Sequence, residues 1–350
     1  MLNPKNFQTA ILKWFDKQGR KDLPWQKNRT AYHVWLSEIM LQQTQVTTVI
    51  AYFERFIKKF PTIQSLALAD INEVLHLWTG LGYYARARNL HKTAQMVVEK
   101  YQGKFPKDIL LLQELPGIGR STAGAILAQA YQLPEPILDG NVKRVLTRFH
   151  AIREDVTKAP TLKKLWDIAI EYTPQIRVTD YTQAIMDLGA LICTRTKPQC
   201  SQCPLHTHCQ AYALNQQTEY PKKNIRKLKP IRQTQFLLIR NTKKEFLLEQ
   251  KPPSGIWGGL WIFPECPDDK NISDWCKTQY GFTLKKIKKQ NPFRHTFTHF
   301  HLDITPVLAE IDSPSRKIMD SSPVIWYKQA NNQALGLAAP VKKLLEEFAE

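Results

Sequence analysis

Apolar positions recur at helical spacing through roughly the first 220 residues, then change to strand-like alternation beyond residue 232. From residue 3 to 18, Phe7, Ile11, Leu12, Trp14 and Phe15 fall on one side of an amphipathic helix. The next helical run, AYHVWLSEIMLQQ from Ala31, is apolar on nearly every side, which predicts a buried helix. Further helices are expected over 45–60, ended by Pro61, and over about 70–78. A glycine turn, Thr79-Gly80-Leu81-Gly82-Tyr83-Tyr84, then opens a basic helix with Arg86, Arg88, His91 and Lys92. Arg120 to Tyr131 has helical composition, with small Ala123, Gly124, Ala125 and Ala128, and Pro134 and Pro136 stop it. A helix carrying Asn141, Lys143, Arg144 and Arg148 follows, then segments over about 160–172 and 178–192.

The pattern breaks at Pro221 to Arg232, which holds six Lys or Arg, two prolines and no acid. That composition predicts a linker over 221–232 whose charge also suits a phosphate backbone. Beyond it, strands are expected at 235–239, 245–248, 261–263, 283–289, 296–310 and 323–328, with helices near 271–280 and 340–348. An all-α region over 1–220 is thus joined to an α+β domain over 233–350. The 350 residues suffice for two cores.

Composition adds a strong charge. The chain carries 49 Lys and Arg against 31 Asp and Glu, a formal +18, which favours a polyanionic partner, most often nucleic acid. No apolar run approaches the ~18 residues of a membrane span, and the N-terminus lacks a signal-peptide pattern. A reducing cytoplasmic setting is the default, with clustered cysteines read as ligands before disulfides. No heptad seam suggests assembly, so a monomer is expected.

Chemistry concentrates in four places. The turn Leu115-Pro116-Gly117-Ile118-Gly119 feeds a helix N-terminus, whose unpaired amides suit one phosphate. One helix further on, Leu138-Asp139-Gly140-Asn141 places a carboxylate and an amide in a turn. Glu38 sits in an apolar helix, where desolvation raises its pKa toward that of a general acid. A partly buried Glu paired with an arginine would give the same local pattern. The amides of Gln42 and Gln43, just after it, can bond base edges without adding charge. Leu81 and Tyr83 suit either wedges entering a base stack or ordinary helix packing. Lys143 and Arg144 suit phosphate positioning. Cys193, Cys200, Cys203 and Cys209 form C-x6-C-x2-C-x5-C, which by itself fits Zn or an iron-sulfur cluster equally.

Glu38 in WLSEIMLQQTQV, the LPGIG hairpin over 115–131, LDGNV at Asp139 and the cysteine loop over 193–209 together resemble the MutY-type adenine DNA glycosylases. That family belongs to the helix-hairpin-helix superfamily that includes endonuclease III. The resemblance covers nearly the whole chain. It implies an all-α helix-hairpin-helix glycosylase with a [4Fe-4S] cluster on the four cysteines, followed by an α+β Nudix-like domain. It implies excision of adenine opposite 8-oxoguanine or guanine in double-stranded DNA, and, in a bacterium, a place at the nucleoid. Glu38 would protonate the extruded adenine and then help activate water; Asp139 would stabilise charge on the sugar. Gln43, Leu81 and Tyr83 match the family's wedge positions, and Asn141 matches a residue supporting the site. Ser121 stands where lyase-competent relatives carry a Schiff-base lysine, so a monofunctional enzyme leaving an abasic site is expected. In the C-terminal domain, Gly259 to Glu265 keeps a G-x5-E fragment of the Nudix motif. The segment ISDWCKTQY over 272–280 lacks the Glu-rich helix, so pyrophosphatase activity is not expected. Phe297-Thr298-His299 matches the family's Phe-Ser-His reader of 8-oxoguanine, with Thr in place of Ser.

Overall fold

The structure is a computed structural model that describes residues 2–222, 228–311, 323–328 and 334–348. Residues 223–227 of the expected linker lie outside the described residues. The chain divides into two compact units, Met1–Leu68 with Asn89–Ile225, and Ala69–Arg88 with Arg226–Glu350.

The first unit is helical. Pro4–Gln18 begins where the Asn3 side chain accepts from the Asn6 amide and Pro4 occupies the first turn. Its buried face is Phe7, Ile11, Trp14 and Phe15, as the periodicity predicts. Ala31–Leu41 starts at the Thr30 cap and buries Tyr32 and Val34 to Ser37 in succession. Arg120–Tyr131 is more deeply placed: Thr122 to Gln129 are all buried. Its small residues allow that. A Cβ on Gly124 would stand 2.3 Å from the Pro136 carbonyl oxygen, so the returning chain packs directly on the helix backbone. Ala31–Leu41 and Val178–Asp187 both pack on this helix.

The expected helix over 178–192 is interrupted. The α-helix ends at Asp187, and Leu188–Ile192 is π-helical, with the Cys193 amide donating to the Leu188 carbonyl at 2.7 Å. Gly189 lies against Asn141 at this point, and local widening of a helix is a frequent device at functional sites. Single-turn helices at Pro24–Lys27, Ile63–Ala67 and Ile109–Gln113 were not expected; each is too short to show periodicity.

The second unit is built on a mixed sheet ordered β3-β2-β1-β7-β5, with β4 on β1, β6 on β7 and β8 on β2. Its strands are β1 (Ile231–Arg240), β2 (Phe246–Gln250), β3 (Trp261–Ile262), β4 (Glu265–Cys266), β5 (Lys285–Lys289), β6 (Phe293–Thr296), β7 (His301–Glu310) and β8 (Val324–Tyr327). β1 and β7 run parallel from Ile231 opposite His301 to Arg240 opposite Glu310. The strand expected over 296–310 is two strands instead. The chain turns at 297–300, where the Phe297 amide donates to the Phe300 carbonyl at 2.9 Å. The helix Ile272–Tyr280 packs Ile272, Cys276 and Tyr280 against Leu237, Ile239 and Val307.

Residues 69–88 were expected within the N-terminal region but cluster with the sheet. The Asn72 side-chain oxygen accepts from Trp261 Nε1 at 3.2 Å and from Gln250 at 3.4 Å. His76 meets the Leu335 carbonyl at 3.1 Å, and the Tyr84 hydroxyl donates to the Leu337 carbonyl at 3.2 Å. These bonds link positions far apart in sequence, so local pattern does not reveal them.

Candidate active site

In the first unit a cavity of about 900 Å³ opens beside the helix Ala31–Leu41. Glu38 and Asp139, a hundred residues apart in sequence, both line it. So do Gln42, Gln43, Ser121, Asn141, Arg144 and Arg195, which sequence singled out, and Arg20, Trp25 and Gln183, which it did not assign to a site. The size falls within the ~300–1,000 Å³ range of small-ligand pockets.

Burial pushes the Glu38 carboxyl up to about 8, and the nearby Asp139 adds to the push. Both causes of the shift, burial and the Asp139 charge, act in the same direction. Asp139 is treated differently. It caps the helix Gly140–Phe149, accepting from the Val142 amide at 2.8 Å, the Asn141 amide at 3.1 Å and Asn141 Nδ2 at 3.1 Å. Burial raises its pKa, but these bonds and the Arg144 charge pull toward the carboxylate. Burial raises both acids, but only Asp139 has hydrogen-bond donors and a cation pulling the other way, so of the two Glu38 is the better place for a proton.

Arg144, expected at a phosphate, has its guanidinium engaged within the protein. It donates to the carbonyls of Cys193 at 2.7 Å, Gly189 at 2.5 Å and Gly140 at 3.3 Å, and to Asn141 Oδ1 at 2.8 Å. Lys143 lies on the same turn, half-buried. Ser121 Oγ accepts from the Leu138 amide at 3.0 Å, tying the start of one helix to the residue before Asp139. Arg20 clasps the fully buried Asp187 at 2.6 and 3.0 Å, and Gln183 donates to the same carboxylate at 2.7 Å. A carboxylate in an apolar helix was the available signal for Asp187, as it was for Glu38.

The hairpin turn presents a helix end. Gly117 has φ +81°, and the turn is pinned by Thr93 donating to the Pro116 carbonyl at 2.8 Å. Gly119 has an ordinary φ of −88°; open space stands where its Cβ would be, so its use is clearance and not backbone freedom. No side chain caps the helix it starts. Gln43, exposed at the cavity rim, is left-handed at φ +59°, a conformation held at some cost outside glycine.

The four cysteines line one small cavity together with Arg148, His206 and Gln217. Among the described residues no group of three or more His, Cys, Asp or Glu is arranged to hold a metal ion. Burial raises the Cys200, Cys203 and Cys209 thiols, and the other thiols of the group raise them further. Arg148, 2% exposed, holds the loop by donating to Cys193 Sγ at 3.3 Å and to the carbonyls of Thr194, Arg195 and Tyr220. Sequence placed Arg148 on its helix but gave it no role.

The second unit carries the other expected residues. Leu81 is 6% exposed and Tyr83 43% exposed, so only Tyr83 stands at the surface. Its turn is left-handed at Gly80, Gly82 and Tyr83, and Arg86 braces it by donating to the Leu81 and Gly82 carbonyls. Phe297 stacks on Phe300 at 4.5 Å, while Thr298 and His299 are exposed at the tip between β6 and β7.

A family model of HhH-GPD superfamily base excision DNA repair proteins matches residues 36–170, and a NUDIX domain model matches 235–347. The adenine DNA glycosylase of Buchnera aphidicola subsp. Acyrthosiphon pisum is 42% identical over 342 residues, covering 98% of this chain and 97% of that one. The adenine DNA glycosylase of Rattus norvegicus is 37% identical over 409 residues, covering 98% and 78%. A solved thermostable thymine-DNA glycosylase superposes with a TM-score of 0.55 at 26% identity, over 60% of this chain and 97% of its own. Endonuclease III in a non-covalent DNA complex gives 0.52 at 22%, over 61% and 99%, a likeness of fold. On identity that runs through nearly its whole length, the chain belongs to the MutY-type adenine DNA glycosylases, helix-hairpin-helix proteins with a Nudix-like C-terminal domain.

Proposed function

We propose that the chain is a monofunctional glycosylase that hydrolyses the N-glycosidic bond of adenine opposite 8-oxoguanine or guanine in duplex DNA. The observation that carries this reading is one cavity lined by both Glu38, with its carboxyl pushed up to about 8, and Asp139, supplied with hydrogen-bond donors. Glu38, protonated at neutral pH, gives its proton to a ring nitrogen of the extruded base. The bond from C1′ to the base breaks with its electron pair leaving on adenine. The Asp139 carboxylate faces the positive charge left on the sugar, by the logic of glycoside hydrolysis. Water adds at C1′ and returns a proton to the Glu38 carboxylate, leaving an abasic site. Asn141 keeps Asp139 oriented through both of its amide groups.

The partner is double-stranded DNA. The uncapped helix end after Gly117 and Gly119 takes a phosphate, and Lys143 on the next helix adds positive charge. Gln42 and Gln43 at the cavity rim contact bases beside the extruded adenine, and exposed Tyr83 acts as a wedge in the base stack; extrusion costs a few kcal/mol of stacking. Phe297, Thr298 and His299 read the opposite base. Ser121 has no amine to form a Schiff base, so the sugar-phosphate backbone is left intact. A monomer in the cytoplasm fits these parts.

Cys193, Cys200, Cys203 and Cys209 would hold a [4Fe-4S] cluster, one thiolate per iron. Four thiols around one cavity, with Cys200, Cys203 and Cys209 raised by burial and by their neighbours, suit a positively charged polynuclear core. When bound, such a cluster supplies order to the loop 193–209; the bond-breaking groups are Glu38 and Asp139.

A single-turnover assay on duplexes with adenine opposite 8-oxoguanine, guanine, cytosine and thymine tests the reading. Adenine release from the first two and none after Glu38→Gln is expected. Full activity of Glu38→Gln, or stoichiometric borohydride trapping of the wild-type chain on DNA, overturns it.

A further inference from the structure

Trp257 sits in a left-handed conformation, φ +56°, which costs a bulky residue free energy unless its surroundings impose it. They do. A Cβ on Gly258 would stand 2.5 Å from the Pro253 carbonyl oxygen, so the turn is folded tightly on its own preceding segment. The Leu260 amide donates to the Trp257 carbonyl at 2.8 Å, and the Gly259 amide to the Lys251 carbonyl at 3.1 Å. The conformation aims the indole at the loop that follows β6. Its ring lies 5.3 Å from Phe297 and 5.8 Å from His295.

The other side of this turn grips the segment 69–88. Arg88 Nη1 donates to the Gly258 carbonyl. The site of a Cβ on Gly259 lies 3.6 Å from Arg88 Cδ and 3.8 Å from Leu75 Cδ1. The glycine turn Thr79–Tyr84, which exposes Tyr83, is therefore held on both flanks within this unit. Asn72 and His76 fix one end, and Tyr84 and Arg88 the other.

We propose that the turn Trp257–Gly259 couples the loop Phe297–His299 to the glycine turn Thr79–Tyr84 through Arg88. Arg88 is then a positioning residue for discrimination between 8-oxoguanine and guanine opposite the adenine, an inference that rests on the function proposed above. A base that seats well against Phe297 loads the indole. The backbone under the indole is braced by the Leu260 and Gly259 amides, so load on the ring reaches the Gly258 carbonyl one residue on, and Arg88 carries it to the turn that presents Tyr83.

Arg88→Met, which keeps the aliphatic stem and deletes the donor, tests this with single-turnover rates on adenine opposite 8-oxoguanine and opposite guanine. The ratio of the two rates should fall about tenfold, within the 5–150-fold range of typical site coupling. Affinity for a fully paired duplex should stay unchanged. Arg88→Lys, which retains a donor, should restore the ratio, and Arg88→Met combined with Thr298→Ala should be non-additive on it. An unchanged ratio in Arg88→Met, equal loss on both duplexes, or additive behaviour overturns the coupling while leaving the glycosylase reading intact. A wild-type chain that releases no adenine overturns both.

Discussion

Arg144 and Asn141 share one short hydrogen bond, Nη2 to Oδ1 at 2.8 Å, and it fixes which way round the Asn141 amide stands. With Oδ1 committed to Arg144, Nδ2 is left to donate to Asp139 Oδ2 at 3.1 Å. The same guanidinium holds the carbonyl of Cys193, so a residue of the cysteine loop and the carboxylate of the cavity are two side chains apart. Arg144→Ala frees the amide to rotate. We expect the single-turnover rate to fall about 10–100-fold, the range for loss of a supporting hydrogen-bond partner in comparable sites, with a much smaller loss of duplex affinity. Parallel kinetic and filter-binding measurements check the split.

Glu38 sets a pH dependence. Its carboxyl rises from an ordinary 4.5 to about 8 in the folded chain. Between those values the folded chain keeps a proton that the unfolded chain releases. The contribution of Glu38 to stability is complete below about 4.5 and is lost as pH rises through about 8. Glu38→Gln has no such loss, so the melting temperature of the variant minus that of the wild type should grow between pH 6 and 9. A constant difference would show that Glu38 titrates normally. The wild-type excision rate should drop over the same upper range, because only the protonated form acts as acid.

These two acids were legible in the sequence for a physical reason. Each announces itself locally, Glu38 by polar chemistry inside an apolar helix and Asp139 by a turn at a helix start. Most long elements were legible for the same reason, by their period; the breaks inside 178–192 and 296–310 were not, because a π-helical turn and a tight turn leave the apolar pattern running through them. What was hidden depends on tertiary approach. Arg148 reaches a carbonyl 72 positions away, and Asn72 meets Trp261 across 189. Leu81 and Tyr83 look alike in a glycine turn, yet one is in the core and the other is not. Burial gives Leu81 the packing reading, and the exposure that a wedge would need is found at Tyr83 alone of the two.

Ser121 acts through its acceptor. Its Oγ takes the Leu138 amide at 3.0 Å, beside a buried side chain. Ser121→Ala leaves that amide without its partner, which costs about 1–3 kcal/mol. Because the next residue is Asp139, the excision rate should fall as well. Chemical denaturation and single-turnover kinetics on the same preparation read both effects.

Arg148 should matter more for the cysteine loop than for the reaction. It is 2% exposed and donates to four carbonyls and to Cys193 Sγ. Hydrogen bonds from a charged donor contribute about 1.5–3 kcal/mol each when broken one-sidedly. Arg148→Met should lower the melting temperature and reduce iron bound per chain. An unchanged iron content would separate the loop's order from this side chain.

Gly189 offers the sharpest geometric test. It lies in the π-helical turn where Val178–Asp187 ends, and a Cβ there would stand 2.6 Å from Asn141 Cβ and 3.0 Å from Asn141 Cα and its carbonyl oxygen. Two of those three atoms are backbone, so no rotamer change relieves the clash. The first turn of Gly140–Phe149 must move, and with it the amides that the Asp139 carboxylate accepts from. Overpacking of this kind costs about 1–3 kcal/mol. A displacement approaching ~1 Å at a catalytic group can cost on the order of a hundredfold in rate. Gly189→Ala should therefore fold and bind mispaired duplex, yet excise at least about tenfold more slowly. Near-normal excision by a folded Gly189→Ala chain would mean that the orientation of Asp139 tolerates the shift, and the tight packing of Asn141 would then have no part in the rate.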